Sequence, residues 1–215
     1  EAAGLLDDLA AQDLARERPG DTLDIERLRR LDGPRGRNAL RYFLAQNGIG
    51  HPPCEELEEI RRQLLDASPD KALSFVLDGR RLQRYRGVAA VVADALPFRG
   101  EWFFCWNGEE RLSLAGGWLH FASCRGEGLS RGVLLGARLC LKPRRGGEGL
   151  RTHAGGPHRS LKHLYQEHGV PPWQRLSTPI LWWAEHLLWV PGVGANADFM
   201  ARPGEDGVCL RWISG

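Results

Sequence analysis

Residues 159–175 read RSLKHLYQEHGVPPWQR, and the way this stretch stops decides what kind of domain surrounds it. After Ser160, the residues Leu161, Leu164, Tyr165 and His168 follow i, i+3, i+4, i+7 spacing, which predicts a short helix burying that stripe. Ser160 is placed to cap the first turn. Gly169 permits a left-handed cap, and Pro171-Pro172 forbids continuation and fixes the exit direction. Trp173 is expected to pack onto the domain and hold Arg175. Lys162, Gln166 and His163 face outward, while Arg159 sits at the helix start, where a cation opposes the macrodipole by a few tenths of a kcal/mol, roughly. A phosphate bound there would more than offset that cost.

Short strand patterns lie on both sides of this helix. RLCLKP precedes it by way of the glycine-rich RRGGEGL, and ILWWA, LLWVPGV and GVCLRWIS follow it. PGVGANA has two glycines spaced as in a dinucleotide loop but reads as a turn between strands. One helix among several strands makes residues 136–215 a compact α+β domain with a mostly antiparallel sheet.

Upstream the period changes. GLLDDLAAQDLARER, with Leu5, Leu6, Leu9 and Leu14 on one side, starts without a capping residue, so residues 1–20 read as the end of a linker helix. LDIERLRRL and GRNALRYFLAQNG predict two more helices, separated by turn chemistry at Asp32-Gly33-Pro34. A fourth, CEELEEIRRQLLDAS, turns Leu57, Ile60 and Leu64 inward and sets Glu58 one turn before Arg62. ALSFVLDGRRLQRYRGVAAVVADAL then alternates with period two, with turns at Asp78-Gly79 and Arg86-Gly87. Residues 21–93 are thus a small helical domain with a β hairpin. The Trp- and Gly-rich stretch 94–135 reads as a β-rich connecting segment with a hairpin turn at Asn107-Gly108.

Net charge is +2 over 215 residues, but it is unevenly spread. From Arg131 to Arg175 there are nine Lys/Arg against the acids Glu148 and Glu167, so this window carries +7 and the rest of the chain −5. Such a concentration is the electrostatic footprint of a polyanion partner. Five scattered cysteines without a CxxC pair indicate reduced, mostly buried thiols. His153, His158, His163 and His168 recur every fifth residue, but positions five apart on a helix point about 140° from one another, which does not build a metal site. No apolar run reaches the roughly 20 residues that span a bilayer, and no secretory signal pattern opens the chain, so the expected location is the cytoplasm and no membrane partner is expected.

Catalytic motifs are not found: there is no GxSxG, no HExxH, no Walker loop and no Ser-Gly-Gly-x-Asp-Ser pyrophosphatase loop. No catalytic residue and no cofactor is therefore assigned to this chain. In RRGGEG, Arg144 and Arg145 beside Gly146-Gly147 have the chemistry to hold a phosphate, with backbone amides approaching it and guanidiniums forking onto it.

RLCLKPRRGGEGL, HRSLKHLYQEHGVPPWQRLSTPILWWAEHLLWVPGV and GVCLRWIS resemble the C-terminal domain of the bacterial tRNA(Ile)-lysidine synthases. NALRYFLAQNG, EELEEI and LDGRRLQRYRG are similar to the helical middle domain of that family. The resemblance covers most of residues 20–214. It implies an ATP-dependent ligase that converts the wobble cytidine of an isoleucine tRNA to lysidine, with ATP and free lysine used by an N-terminal catalytic domain not contained here. It further implies that this two-domain portion recruits the tRNA and works beside that catalytic domain. Candidate RNA-binding residues are Lys142, Arg144, Arg145, Arg151, Arg159, Lys162 and Arg175, with Arg81, Arg84 and Arg86 in the helical domain. Eight tryptophans and the acidic helices of the first half support a competing reading, a protein-interaction or homodimerisation module.

Overall fold

The computed structural model describes residues 2–14, 22–50, 52–68, 71–93, 98–114 and 116–214. They fall into two units, Glu1–Asp94 and Ala95–Gly215. The first contains α1 (Ala2–Leu14), β1 (Thr22–Asp24), α2 (Ile25–Arg29), α3 (Gly33–Gln46), α4 (Cys54–Asp66), β2 (Leu73–Leu77), β3 (Arg80–Tyr85) and β4 (Val88–Ala93). Strands pair antiparallel in the order β1-β4-β3-β2. Both tight turns have the two positive φ angles of a type I′ hairpin, Asp78 and Gly79 at 48° and 74°, Arg86 and Gly87 at 48° and 79°. The strand at Thr22–Asp24 is an addition to the sequence reading.

Apolar spacing places the helix faces as expected in α3 and α4. Ala39, Leu40, Phe43, Leu44, Leu57, Ile60 and Leu64 join Leu23, Leu28, Leu77 and Leu82 in one core. Asp32 does more than end a turn: its side chain accepts from the Arg35 amide, so Gly33-Pro34 form the first turn of α3. Glu58 pairs with Arg61 and with Arg37 of α3, whereas Arg62 pairs with Glu59, because three-residue spacing and a neighbouring helix offer better geometry than Glu58 to Arg62. In α1 the expected leucine stripe is buried only in part, with Leu9 and Leu14 half-buried and Leu14 packed against the core. Leu5 and Leu6 are exposed, and Ala10 and Asp13 are buried. Polar contacts decide this docking, with Asp13 held by Arg35, Asp7 by Arg41, and the Leu6 carbonyl by Asn38.

The second unit contains β5 (Trp102–Cys105), β6 (Arg111–Leu114), β7 (Gly117–Arg125), β8 (Leu129–Ser130), α5 (Arg131–Leu134), β9 (Arg138–Lys142), β10 (Gly149–Leu150), β11 (Arg159–Ser160), α6 (Leu161–Glu167), α7 (Pro172–Ser177), β12 (Ile180–Trp183), β13 (His186–Val190), β14 (Gly194–Ala195) and β15 (Asp206–Ser214). Two antiparallel sheets, β14-β13-β12-β9-β5 and β6-β7-β15-β8, pack face to face. Leu119, Phe121 and Val208 from one meet Leu139, Leu141, Leu181 and Leu188 from the other. The opposite face of the five-stranded sheet receives α6, where Leu161, Leu164 and Tyr165 pack on Ile180, Leu187 and Val190.

Residues 94–135 supply β5 to one sheet and β6–β8 to the other, so they share their core with the residues that follow. Asn107-Gly108 is not a hairpin turn, since β5 pairs with β9 and β6 with β7. Buried Trp106, stacked on Phe121 at 5.5 Å and donating Nε1 to the Glu109 carbonyl at 2.8 Å, anchors the chain as it crosses between sheets. Pro171-Pro172 ends one helix but starts another, α7, because proline at the first helical position loses no hydrogen bond. His168, expected in the buried stripe, is exposed at the end of α6, where the helix has already terminated. Cys140 alone among the cysteines is buried; Cys54 and Cys105 are exposed, and Cys124 and Cys209 are half-buried with their sulfurs 2.9 Å apart. Among the described residues no helix is long and apolar enough to cross a membrane.

Candidate nucleic-acid interface

Strand alternation sets the site. On β9, Leu139 and Leu141 enter the core between the sheets, so Arg138, Cys140 and Lys142 lie on the other face. Phe103 and Trp182 are the cross-strand partners of Cys140 and share that face. The Arg138 guanidinium carbon lies 4.7 Å from the Phe103 ring centroid, and Lys142 Nζ lies 4.1 Å from that of Trp182. Just past the strand, Arg144 stands 5.7 Å from the Tyr165 ring, and Arg175, from α7, stands 5.5 Å from the same ring. Four cations are thus seated on three aromatic rings along one face.

This arrangement has an electrostatic consequence. A cation–π contact, worth about 0.5–1 kcal/mol at an exposed site, holds a cation in place without neutralising it. Among the described residues neither Arg138 nor Lys142 has a carboxylate at ion-pair distance. Burial pushes the Tyr165 hydroxyl up to about 12, with Arg144 and Arg175 pulling the other way. Burial, followed by Glu101, raises the Cys140 thiol, while Lys142 and Arg138 lower it. The buried Tyr165 Oη, Arg144 Nε and Trp182 Nε1 have no hydrogen-bond partner among the described residues.

The seven residues expected in this unit are not equivalent. Lys142, Arg144 and Arg175 converge on Trp182 and Tyr165. Arg175 is held by the Val170 carbonyl, which accepts from its Nε at 2.7 Å, and by the Tyr165 ring, where Trp173 was expected to hold it. Arg145 is highly exposed and donates to Glu101 at 2.9 Å. Arg151 donates to Asp198 at 3.3 Å, away from this group. Lys162 is exposed on α6 and has no ion-pair partner among the described residues.

Two local expectations change. Ser160 occupies the cap position but its side chain makes no capping bond. Arg159 does not leave its charge at the positive end of α6; its guanidinium reaches Glu167 at 2.6 Å, the last residue of that helix, which relieves the dipole conflict without any phosphate. The RRGGEG loop likewise satisfies itself. The Glu148 carboxylate accepts from the Arg145 amide at 2.5 Å and the Gly146 amide at 2.9 Å, so the backbone donors expected to meet a phosphate already hold an internal anion.

In the first unit, Arg84 is turned inward. It is 3% exposed, donates to the Ser68 carbonyl at 2.9 Å, and burial lowers its pKa. Alternation explains this, because Arg84 shares the core face of β3 with Leu82, whereas Arg81 is half-buried on the opposite face. Arg86 is exposed in the β3–β4 turn, over the Tyr85 ring at 5.4 Å. Sequence reasoning missed Arg138, Phe103 and Trp182. The signal for Arg138 was in RLCLK, where a period of two puts positions 138 and 142 on one face.

Comparison with known proteins agrees with this division of the chain. The family profile described as TilS substrate binding domain matches residues 23–89, and that described as TilS substrate C-terminal domain matches residues 139–212. The tRNA(Ile)-lysidine synthase of Nitrosomonas europaea is 35% identical over 215 residues, covering 99% of this chain and 47% of its own length. That of Ralstonia nicotianae is 39% identical over 212 residues, covering 94% and 46%. The chain spans about half the length of the curated relatives it matches. A crystal structure of a TilS C-terminal domain overlaps at a TM-score of 0.41 and 21% identity, over 54% of this chain and 98% of that one.

Proposed function

Because this chain belongs to the tRNA(Ile)-lysidine synthase family and carries its substrate binding and C-terminal domains, we propose that it is the part of the enzyme that recruits isoleucine tRNA. In this reading, the whole protein converts the wobble cytidine of that tRNA to lysidine. ATP and free lysine are used by a catalytic domain outside this chain, and the two units here hold the tRNA body beside it. The observation that carries the proposal is the face of β9 and its extension, where Arg138, Lys142, Arg144 and Arg175 rest on aromatic rings.

Phosphate contacts position a protein on RNA and fix its register, and A-form RNA is met mostly through its shape and backbone. Cations held by rings suit this task, since their positions are set before RNA arrives; Arg138 and Lys142 have no carboxylate at ion-pair distance among the described residues, whereas Arg144 also lies 3.8 Å from Glu148. The test is a titration of the chain with the minor isoleucine tRNA and with an unrelated tRNA at several salt concentrations. Binding whose logarithm falls steeply with log salt supports phosphate contact, and tighter binding of the isoleucine tRNA places discrimination in these units. Failure to bind either tRNA at low salt removes the proposal for this chain.

A further inference from the structure

The face that carries the cations also carries a largely exposed aromatic ring, covered by the Arg138 guanidinium at 4.7 Å and otherwise open. Phe103 is 55% exposed, on the edge strand β5 of the five-stranded sheet. Helix α6 packs on the same sheet face over Ile180, Leu187 and Val190, but its core does not reach Phe103. Instead Phe103 lines an open groove with Glu101, Arg138, Cys140, Lys142 and Trp183. Scattered apolar side chains on a surface are ordinary, whereas a ring inside a groove walled by unneutralised cations is a combination suited to one ligand chemistry.

That chemistry needs a flat π surface next to negative charge. A nucleotide supplies both, the base for Phe103 and the phosphate for Arg138 and Lys142. The body of an RNA duplex does not fit the description, because its interior bases stack on one another and present no free face. Glu101 stands on the groove rim, where its carboxylate accepts from Arg145 at 2.9 Å, and like-charge repulsion favours a phosphate beside Arg138 and Lys142 over one beside Glu101.

We propose that this groove receives one unpaired nucleotide of RNA, with its base stacked on Phe103 and its phosphate between Arg138 and Lys142. The inference rests on the RNA-binding reading above and specifies a single-stranded site within it.

The experiment compares a short single-stranded RNA containing 2-aminopurine with a blunt-ended duplex RNA of the same length, each titrated into the chain and into Phe103→Leu and Phe103→Trp variants. Circular dichroism checks that the variants are folded. Base–aromatic stacking is worth about 1–3 kcal/mol, so Phe103→Leu is expected to weaken single-strand binding by about 5-fold or more. It should also abolish the 2-aminopurine quenching and leave duplex affinity unchanged, while Phe103→Trp retains both signals. Equal single-strand affinity in the wild-type chain and Phe103→Leu overturns the nucleotide site, even where duplex binding shows that the chain is an RNA binder. Binding of neither RNA by the wild-type chain overturns both readings.

Discussion

Replacing Lys142 and Lys162 together by glutamine separates phosphate contact from mere surface charge. Neither ammonium group has a carboxylate partner among the described residues; one rests on the Trp182 ring and the other projects from α6. Arg145, Arg151 and Arg159 differ, since Glu101, Asp198 and Glu167 stand beside them. A paired arginine that turns to a phosphate leaves its carboxylate behind as a nearby negative charge, so its net contribution is smaller. Each phosphate contact contributes about 0.7–0.9 to the magnitude of the slope of log K against log salt. Loss of two contacts should therefore lower that magnitude by roughly 1.4–1.8. Over a fourfold rise in salt, the double variant should lose about 7- to 12-fold less affinity than the wild-type chain does. The assay is fluorescence anisotropy of labelled isoleucine tRNA at four or more salt concentrations, with circular dichroism confirming the fold. Arg159→Gln is the control, expected to change the slope by less than about 0.5 because its guanidinium is engaged by Glu167. An unchanged slope in the folded double variant would refute the reasoning, as would an Arg159→Gln effect as large as that of the two lysines.

Other substitutions probe the fold beneath this face. Tyr165→Phe removes a buried hydroxyl that has no partner among the described residues and is expected to leave stability unchanged or raise it by up to about 1 kcal/mol in urea unfolding. Glu148→Ala frees the Arg145 and Gly146 amides, and should cost about 1.5–3 kcal/mol by the same measurement. Arg84→Met should keep tRNA affinity within about twofold of wild type, because the guanidinium is already used inside the first unit. The hydrogen bond from Arg61, assisted by Arg37, holds the Glu58 carboxyl down at about 2. A carboxyl depressed on folding contributes stability that is present above its unfolded value of about 4.3 and is lost as pH falls through the folded value. Glu58→Gln should therefore flatten the decline in urea midpoint between about pH 4.5 and pH 2, by a small amount since the pair is partly in water.

Several features were legible in the residues alone because their causes are local. Positive-φ turns at Asp78-Gly79 and Arg86-Gly87, the apolar faces of α3 and α4, and the stripe Leu161, Leu164, Tyr165 depend on spacing within one element. The +7 window likewise pointed to a polyanion partner, and the motif resemblance to the family, before any coordinates. Which cations face outward was less legible. Arg81 and Arg84 look alike in RRLQRY, yet one step of strand parity sends Arg84 inward.

The amino-acid sequence by itself determined the type and order of most elements, the α+β class and the concentration of positive charge, since propensity, turn chemistry and periodicity act over a few residues. Tertiary structure decided the partners. Phe103 meets Arg138 through strand pairing across 35 positions, Arg175 meets Tyr165 across a helix break, and Glu148 folds back onto the amides of its own loop. Charge is a property of a residue, but its availability to a polyanion depends on which ring or carboxylate the fold sets beside it. That is why Lys142 and Arg159, equal in charge along the chain, stand apart in the structure: one rests on an indole and keeps its charge free, and the other is closed by Glu167.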